Sequence, residues 1–357
     1  MDLRPVAARP LPGVRIFRWA AILPIQPKPA RAALRRGNVG KGTRPAAPQE
    51  MDGAMPARPE ARADEGLGGV LVISPCRNEA RTLARTVACM ERQTLKPVRW
   101  VIVDDGSSDD TPLVLAEAAA RIPWLQVVRR RDRGFRHVGG GVVDAFYAGL
   151  ETANVSYDYV AKLDVDLEFA PRYLEHALEH FAQDSRLAAI SGKVFRPEGE
   201  GFVEEFMIDE MVAGQFKLYR REAFEEIGGF VREVMWDGID FHRCRMRGWR
   251  TASVKDPELR ITHLRLMGSS DHGIYRGRLR WGEGQWFMGS SPFYVFASGV
   301  FRMRERPRVI GGLLIICGYL RAALSRRPRY GEPAFRRSLR SWQAQRLRRL
   351  LHTRSAR

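Results

Sequence analysis

Cysteine is scarce in this sequence: Cys76, Cys89, Cys244 and Cys317 are its only four, and they lie far apart in 357 residues. That spacing excludes a metal knuckle and a dense disulfide framework, and it predicts a reducing, cytoplasmic setting. Long apolar runs are missing as well. No stretch reaches the roughly 18 to 20 uncharged apolar residues that cross a bilayer. The short run at residues 19–23 ends at Pro24 without a small-residue cleavage site, so neither a spanning helix nor a signal peptide is expected. No internal repeat is visible. Acid is in deficit: Asp and Glu number 41 against 59 Lys and Arg, a formal charge of +18. Such a balance points to contact with phosphate, whether in nucleic acid, lipid head groups or nucleotide ligands.

What is present divides the chain into three regions. Residues 1–66 are rich in Pro, Ala and Arg and show neither helical nor strand periodicity, so a disordered tail is expected there. From Gly69 apolar runs of strand length alternate with helical segments, the pattern of an α/β domain with a mostly parallel central sheet and flanking helices. Strands are expected at 70–74, 98–104, 125–129, 159–163 and 187–194. Helices are expected at 79–92, from Thr111 and Pro112 toward Arg121, at 142–151 and at 171–181. Two apolar stretches, 293–301 and 309–320, flank the charged link 302–308, and from Arg321 the chain is strongly Arg-rich. The predicted organisation is a tail to residue 66, a catalytic domain over 67–290 with a nucleotide half (69–166) and an acceptor half (167–290), and an apolar, basic helical region over 291–357.

Open parallel sheets bind ligands beyond the carboxyl ends of their strands. Here the first strand runs into Ser74-Pro75-Cys76-Arg77-Asn78-Glu79, the second into Asp104-Asp105-Gly106-Ser107-Ser108-Asp109, and the fourth into Asp164-Val165-Asp166. Three acidic strand ends on one rim repel each other unless a cation or hydrogen-bond donors lie between them. An Asp-x-Asp triplet at a strand end brings both carboxylates to that rim, where one can hold Mg²⁺ or Mn²⁺ alongside a substrate diphosphate. Taken alone, such a triplet is more often a pair of solvated turn aspartates; its position after Val160-Ala161-Lys162-Leu163, with other acidic strand ends nearby, reverses that preference.

These three motifs, in this order and at these separations, resemble those of the family 2 glycosyltransferases over about residues 69–265. The resemblance implies a GT-A fold, a nucleotide-sugar donor, a divalent metal and inversion at the anomeric carbon. It further implies a saccharide or lipid-linked acceptor in bacterial cell-surface, exopolysaccharide or glycolipid synthesis. Carried over residue by residue, it places Ser74, Pro75, Arg77 and Glu79 in the nucleotide pocket and Asp105 at the base. Asp164 would face ribose or metal, and Asp166 would be the direct metal ligand. Trp236-Asp237-Gly238-Ile239-Asp240 resembles the acidic stretch that supplies the family's general base, a role that falls to Asp240; Asp237 serves equally well as a helix N-cap. His263 stands where related enzymes place a third metal ligand, against the alternative of a structural histidine. Trp236 is a candidate to stack on an acceptor sugar, or to pack in the core. The glycines Gly139-Gly140-Gly141 let backbone amides approach a diphosphate, or form only a flexible turn.

Other patterns are set aside. Gly40-Lys41-Gly42-Thr43-Arg44 has the wrong glycine spacing for a phosphate loop and lies in the Pro-rich tail without a preceding strand. Trp281, Gln285 and Trp286 resemble the Gln-x-x-Arg-Trp signature of processive synthases only in composition, so transfer of a single sugar is expected. A sugar nucleotidyltransferase, the first rival, would carry a Gly-rich loop directly after the first strand. A nucleic-acid-binding protein, the second, is disfavoured because the arginines concentrate at the two ends while the middle holds acidic clusters. The C-terminal region is expected to rest on the anionic inner face of the plasma membrane, the alternative being helices packed on the catalytic core.

Overall fold

Near-continuous β-branched runs demand burial on both faces, and they form the centre of the sheet. The computed structural model describes residues 68–134, 139–264, 273–331 and 333–355; the expected tail lies outside them. The first half is β1 (Val70–Cys76), α1 (Ala80–Glu91), β2 (Arg99–Asp104), α2 (Thr111–Arg121), β3 (Leu125–Arg129), α3 (Gly140–Thr152) and β4 (Tyr159–Leu163). The second continues through β5 (Leu167–Phe169), α4 (Tyr173–Gln183), β6 (Leu187–Gly192), β7 (Val194–Glu198), β8 (Gly201–Glu204), β9 (Phe216–Arg220), α5 (Arg221–Glu226), α6 (Trp236–Met246), β10 (Arg250–Val254) and β11 (Ile261–His263).

Seven strands join in the order β10-β6-β9-β4-β1-β2-β3. All pairings are parallel except those of β9, which runs antiparallel to β4 and β6. Alternation sends Val70, Val72, Trp100 and Ile102 to one side of the sheet, with Leu83, Met90 and Leu115 of the helices. Leu71, Ile73, Val101 and Val103 go to the other, with Phe146 and Phe224. A smaller sheet, β5-β11-β7-β8, stands beside the carboxyl ends of the large one.

The expected strand at 187–194 is two strands in different sheets. At Gly192 an added Cβ would lie 1.4 Å from the Leu259 carbonyl oxygen. Glycine alone permits that approach, and the chain crosses from one sheet to the other there.

Four further helices follow: α7 (Gly273–Met288), α8 (Pro292–Arg302), α9 (Ile310–Leu324) and α10 (Pro333–Ser355). The apolar stretches expected at 293–301 and 309–320 are α8 and α9. Helix α7, which begins inside the expected acceptor half, packs on α9 where built Cβ atoms at Gly282 and Gly318 would fall 2.0 Å and 2.1 Å from the carbonyl oxygens of Ile315 and Leu279. The interior of α10 meets α6 through Phe335, Leu339, Met288 and Ile239. Among the described residues no helix is long and apolar enough to cross a membrane.

Candidate active site

The carboxyl ends of β1, β2 and β4 open onto one cleft, lined by Pro75, Cys76, Arg77, Glu79, Asp105, Gly141, Val142, Ala145, Asp164 and Val165. Sequence reasoning named Pro75, Arg77, Glu79, Asp105 and Asp164, and the fold brings these five together. Gly141 joins them from the first turn of α3, whose amides point toward the cleft as a helix N-terminus does. Gly139 has φ +82°, and an added Cβ would lie 2.9 Å from the Cα of Val234, so glycine here ties the start of α3 to the loop leading into α6.

Ser74 is not part of this cleft. Its side chain is buried in the sheet, where Oγ accepts a hydrogen bond of 2.9 Å from Trp100 Nε1. The alternation of the strand turns Pro75, not Ser74, toward the ligand side.

Behind the cleft, arginines hold Asp105 in place. Arg130 and Arg133 both pair with the Asp105 carboxylate, Arg130 at 3.0 Å. Arg77 donates to the Asp105 carbonyl and to Asp132 Oδ1 at 2.7 Å. The Gly134 amide and the Arg77 guanidinium hold the Asp132 carboxyl below its ordinary range. Arg130 and Arg133 were missed from sequence, which named only Arg77 of the three.

At the end of β4, Lys162 donates to Asp164 Oδ1 at 2.6 Å and to the Gly214 carbonyl at 2.8 Å. Asp166 is 1% exposed, and His263 Nε2 stands 3.2 Å from its Oδ2. β11 pairs with β5, the strand after the Asp-x-Asp triplet, with His263 opposite Leu167; the small sheet thus delivers the histidine to the aspartate. Burial pushes the imidazole pKa down, but Asp166, Glu205 and Asp164 together outweigh it and leave His263 above its ordinary value.

Helix α6 begins after Met235, held in the left-handed region at φ 71°, a conformation that costs a non-glycine residue on the order of 1 kcal/mol or more. No side chain caps the helix, so Asp237 is not its N-cap; it lies in the first turn, where the helix dipole favours an anion. The Asp237 carboxylate is half-buried over Gly214, whose built Cβ would lie 3.1 Å from Oδ2.

Asp240 has a different environment. At 1% side-chain exposure it accepts from Lys217 Nζ at 2.7 Å and from Tyr219 Oη at 2.8 Å. Burial pushes its carboxyl pKa up while Lys217 and Tyr219 hold it back. Trp236 is 8% exposed and packs edge-on against Phe230, with Lys162 and Lys217 at 5.4 Å and 5.2 Å from its ring. Its faces belong to the interior, so the packing alternative holds for this residue. Trp281 and Trp286 likewise pack in the C-terminal helices, under Arg302 and against Tyr319.

Residues 71–228 match the family described as Glycosyl transferase family 2. They form a family 2 glycosyltransferase domain. The enzyme's mostly parallel sheet with covering helices is the GT-A architecture. The chain is 23% identical over 259 residues to the poly-beta-1,6-N-acetyl-D-glucosamine synthase of Staphylococcus aureus, covering 66% of this chain and 59% of the relative. It is 27% identical over 130 residues to the chondroitin synthase of Escherichia coli, covering 36% of this chain and 18% of that protein. The chain therefore spans about three-fifths of the length of the staphylococcal relatives it matches. Among solved structures, a mannosyltransferase of Pyrobaculum calidifontis in complex with GDP-Man and Mn²⁺ is similar at a TM-score of 0.46 and 18% identity, over 81% of this chain and 80% of that one.

Proposed function

We propose that this glycosyltransferase moves a sugar from a nucleoside diphosphate donor to an acceptor hydroxyl, with a divalent metal and inversion at the anomeric carbon. The observation that carries the reading is a cleft lined by Asp105, Asp164 and the start of α3, with Asp166, paired to His263, following Asp164 in the same strand-end motif. Among the described residues no three such side chains are already gathered as a metal site; the Asp166 carboxylate and the His263 imidazole, 3.2 Å apart, with Asp164 two residues before Asp166, would be the donors for Mn²⁺ or Mg²⁺. When bound, the metal supplies positive charge to the departing nucleoside diphosphate.

The remaining work falls to side chains of this chain. Asp105, held between Arg130 and Arg133, presents acceptors to the nucleobase. The amides at the start of α3 face the diphosphate. Asp237, at the open start of α6, takes the proton of the acceptor hydroxyl. The oxygen so freed attacks the anomeric carbon from the side opposite the diphosphate, and the bond from that carbon to the phosphate oxygen breaks. We place the base on Asp237 because Asp240, the acid favoured by sequence, is enclosed by Lys217 and Tyr219; Asp240 is then a positioning residue for the helix. The Lys162 ammonium joins the two centres, since it binds both Asp164 and the carbonyl of Gly214, the residue beneath Asp237. A saccharide or glycolipid acceptor accords with the polysaccharide synthases among the relatives.

Calorimetry with a panel of nucleoside diphosphates, with and without Mn²⁺, tests the metal. Asp166→Ala is expected to stay folded and to lose the metal-dependent part of donor binding together with transfer. Wild-type turnover that persists in excess EDTA would sink the metal role.

A further inference from the structure

Helix α9 is built inside out for a helix in water. Its packed face carries small residues at the crossings: Gly318 lies against α7, and Gly312 against α8, where a built Cβ would fall 2.2 Å from the Gly299 carbonyl oxygen. Ile315 and Tyr319 also turn inward, but four other large apolar residues of the helix face outward. Ile310, Leu313, Leu320 and Leu324 are 46% to 84% exposed and, with exposed Cys317 between them, recur at steps of three and four residues, one continuous stripe. Helix α8 repeats the arrangement. Phe293, Phe296 and Val300 are exposed at i, i+3 and i+7, while Val295 and Gly299 turn inward. A water-facing surface of this kind exceeds the scattered apolar residues of ordinary monomers.

The charge around this surface is mainly positive, although Glu283 pairs with Arg321 and Arg327 and Glu198 lies against Arg306. Residues 292–357 contain sixteen arginines and only two glutamates, Glu305 and Glu332. Glu305 is already paired with Arg278 at 3.0 Å and with Arg302 at 2.8 Å. Arg304, Arg306 and Arg308, in the link between the two helices, are exposed, as are Arg321, Arg326 and Arg327 at the far end of α9. A neutral protein partner would not need such a rim on both ends of the stripe. An anionic bilayer does, since apolar side chains enter the acyl boundary while arginines meet the phosphates.

The patch also reaches toward the metal carboxylates. Phe301 at the end of α8 packs at a tilt against exposed Phe206, 5.6 Å between ring centres. Phe206 follows Glu205, whose carboxylate lies 4.0 Å from His263 Nδ1. We propose that the outward face of the α8–α9 hairpin, continued by Phe206, seats the enzyme on an anionic membrane surface with its catalytic edge beside the head groups. This face would present acceptors embedded in the same bilayer. That last consequence rests on the sugar-transfer reading, whereas the docking itself does not.

The test uses the full chain and vesicles of phosphatidylcholine, with or without about one third phosphatidylglycerol. Cys317 is exposed on the stripe while the other three cysteines are buried, so it accepts a polarity-sensitive fluorophore. The expected results are flotation with the anionic vesicles, weakening as salt rises, and a blue shift of the label with protection from iodide. Phe293→Ser with Phe296→Ser, and separately Leu320→Ser with Leu324→Ser, should each lower the partition constant by about tenfold or more, because exposed apolar area is lost without disturbing a packed residue. Leu113→Ser, at an exposed leucine of α2, should change nothing. Asp166→Ala should float like the wild type, which separates failure of docking from failure of the catalytic reading. No flotation at low salt overturns the proposal, as does flotation with an unshifted label. It is equally overturned by a concentration-dependent dimer that the serine variants abolish while vesicle binding is absent.

Discussion

Asp237 and Asp240 are one helical turn apart, yet one carboxylate is half open and the other sealed. Removing each therefore has a different effect. Asp237→Asn should keep the fold and donor affinity and lower kcat by about a hundredfold or more, as loss of a general base does. Asp240→Asn leaves the Lys217 ammonium buried without its counter-charge, a loss worth about 3 kcal/mol or more in stability. Urea unfolding and single-turnover kinetics on both variants distinguish the two. A stable but inactive Asp240→Asn beside an active Asp237→Asn would return the base to Asp240. The sequence alone named both acids and put Asp240 first; a spacing of three places them on one helix without saying which one the neighbouring strand covers. Ser74 was obscured for the same reason: its motif locates the strand end, but the pleat decides which side chain faces the ligand.

His242 gives a second residue-scale prediction. It sits among Phe241, Trp342 and Phe335, and burial, with Arg245 beside it, pushes its pKa down to about 3. Unfolded, the imidazole titrates near the ordinary 6.5. Between those values the unfolded chain binds a proton that the folded chain refuses, so this group's effect is nil above the unfolded pKa and destabilising as pH falls below it. The slope is about 1.4 kcal/mol per pH unit. Denaturant unfolding of the wild type and His242→Gln should therefore converge in pH dependence above neutrality and diverge below it. The wild type should lose about 2 kcal/mol more than the variant between about pH 7.5 and about pH 5. Parallel curves would mean that His242 is hydrated or charged in the folded state.

At the scale of elements, strands at 125–129 and 159–163 agree with β3 and β4 to the residue, because β-branched runs bounded by polar turns leave little freedom. The helices α8 and α9 were also legible as apolar stretches. The switch of sheets at Gly192 was not, since the close approach that needs glycine comes from Leu259, far along the chain. Nor was the pairing of α7 with α9, which depends on glycines set among charged residues. Gly282→Ala should test that crossing. The new methyl meets the Ile315 carbonyl at 2.0 Å, so the helices must part, at an expected cost of about 1 to 3 kcal/mol. Gly201→Ala, where an added Cβ meets nothing within 4 Å, is the control. Equal melting temperatures for both variants would show that α7 and α9 separate without loss.

At the scale of the whole molecule, the motifs that identify the chemistry all lie before residue 264, yet helix α6, which carries the proposed base, is backed by residues far beyond them. Ile239, on the turn that carries Asp237 and Asp240, is buried against Met288, Phe335 and Leu339. His242 and Phe241 extend the contact to Trp342. Helix α10 is thus part of the support of α6, although the sequence marks it only as the Arg-rich end of a basic helical region. Truncating Phe335 to alanine should cost about 3 to 5 kcal/mol, the range for a large aromatic removed from a packed interior. Because the same cluster holds α6, the effect should not stay local. Hydrogen exchange on Phe335→Ala should show faster exchange in α6 as well as in α10, while the strands β1 and β2 keep their protection. Transfer activity should fall with α6, since the start of that helix positions Asp237 over Gly214. Faster exchange confined to α10, with kcat unchanged, would mean that α6 stands without its C-terminal support.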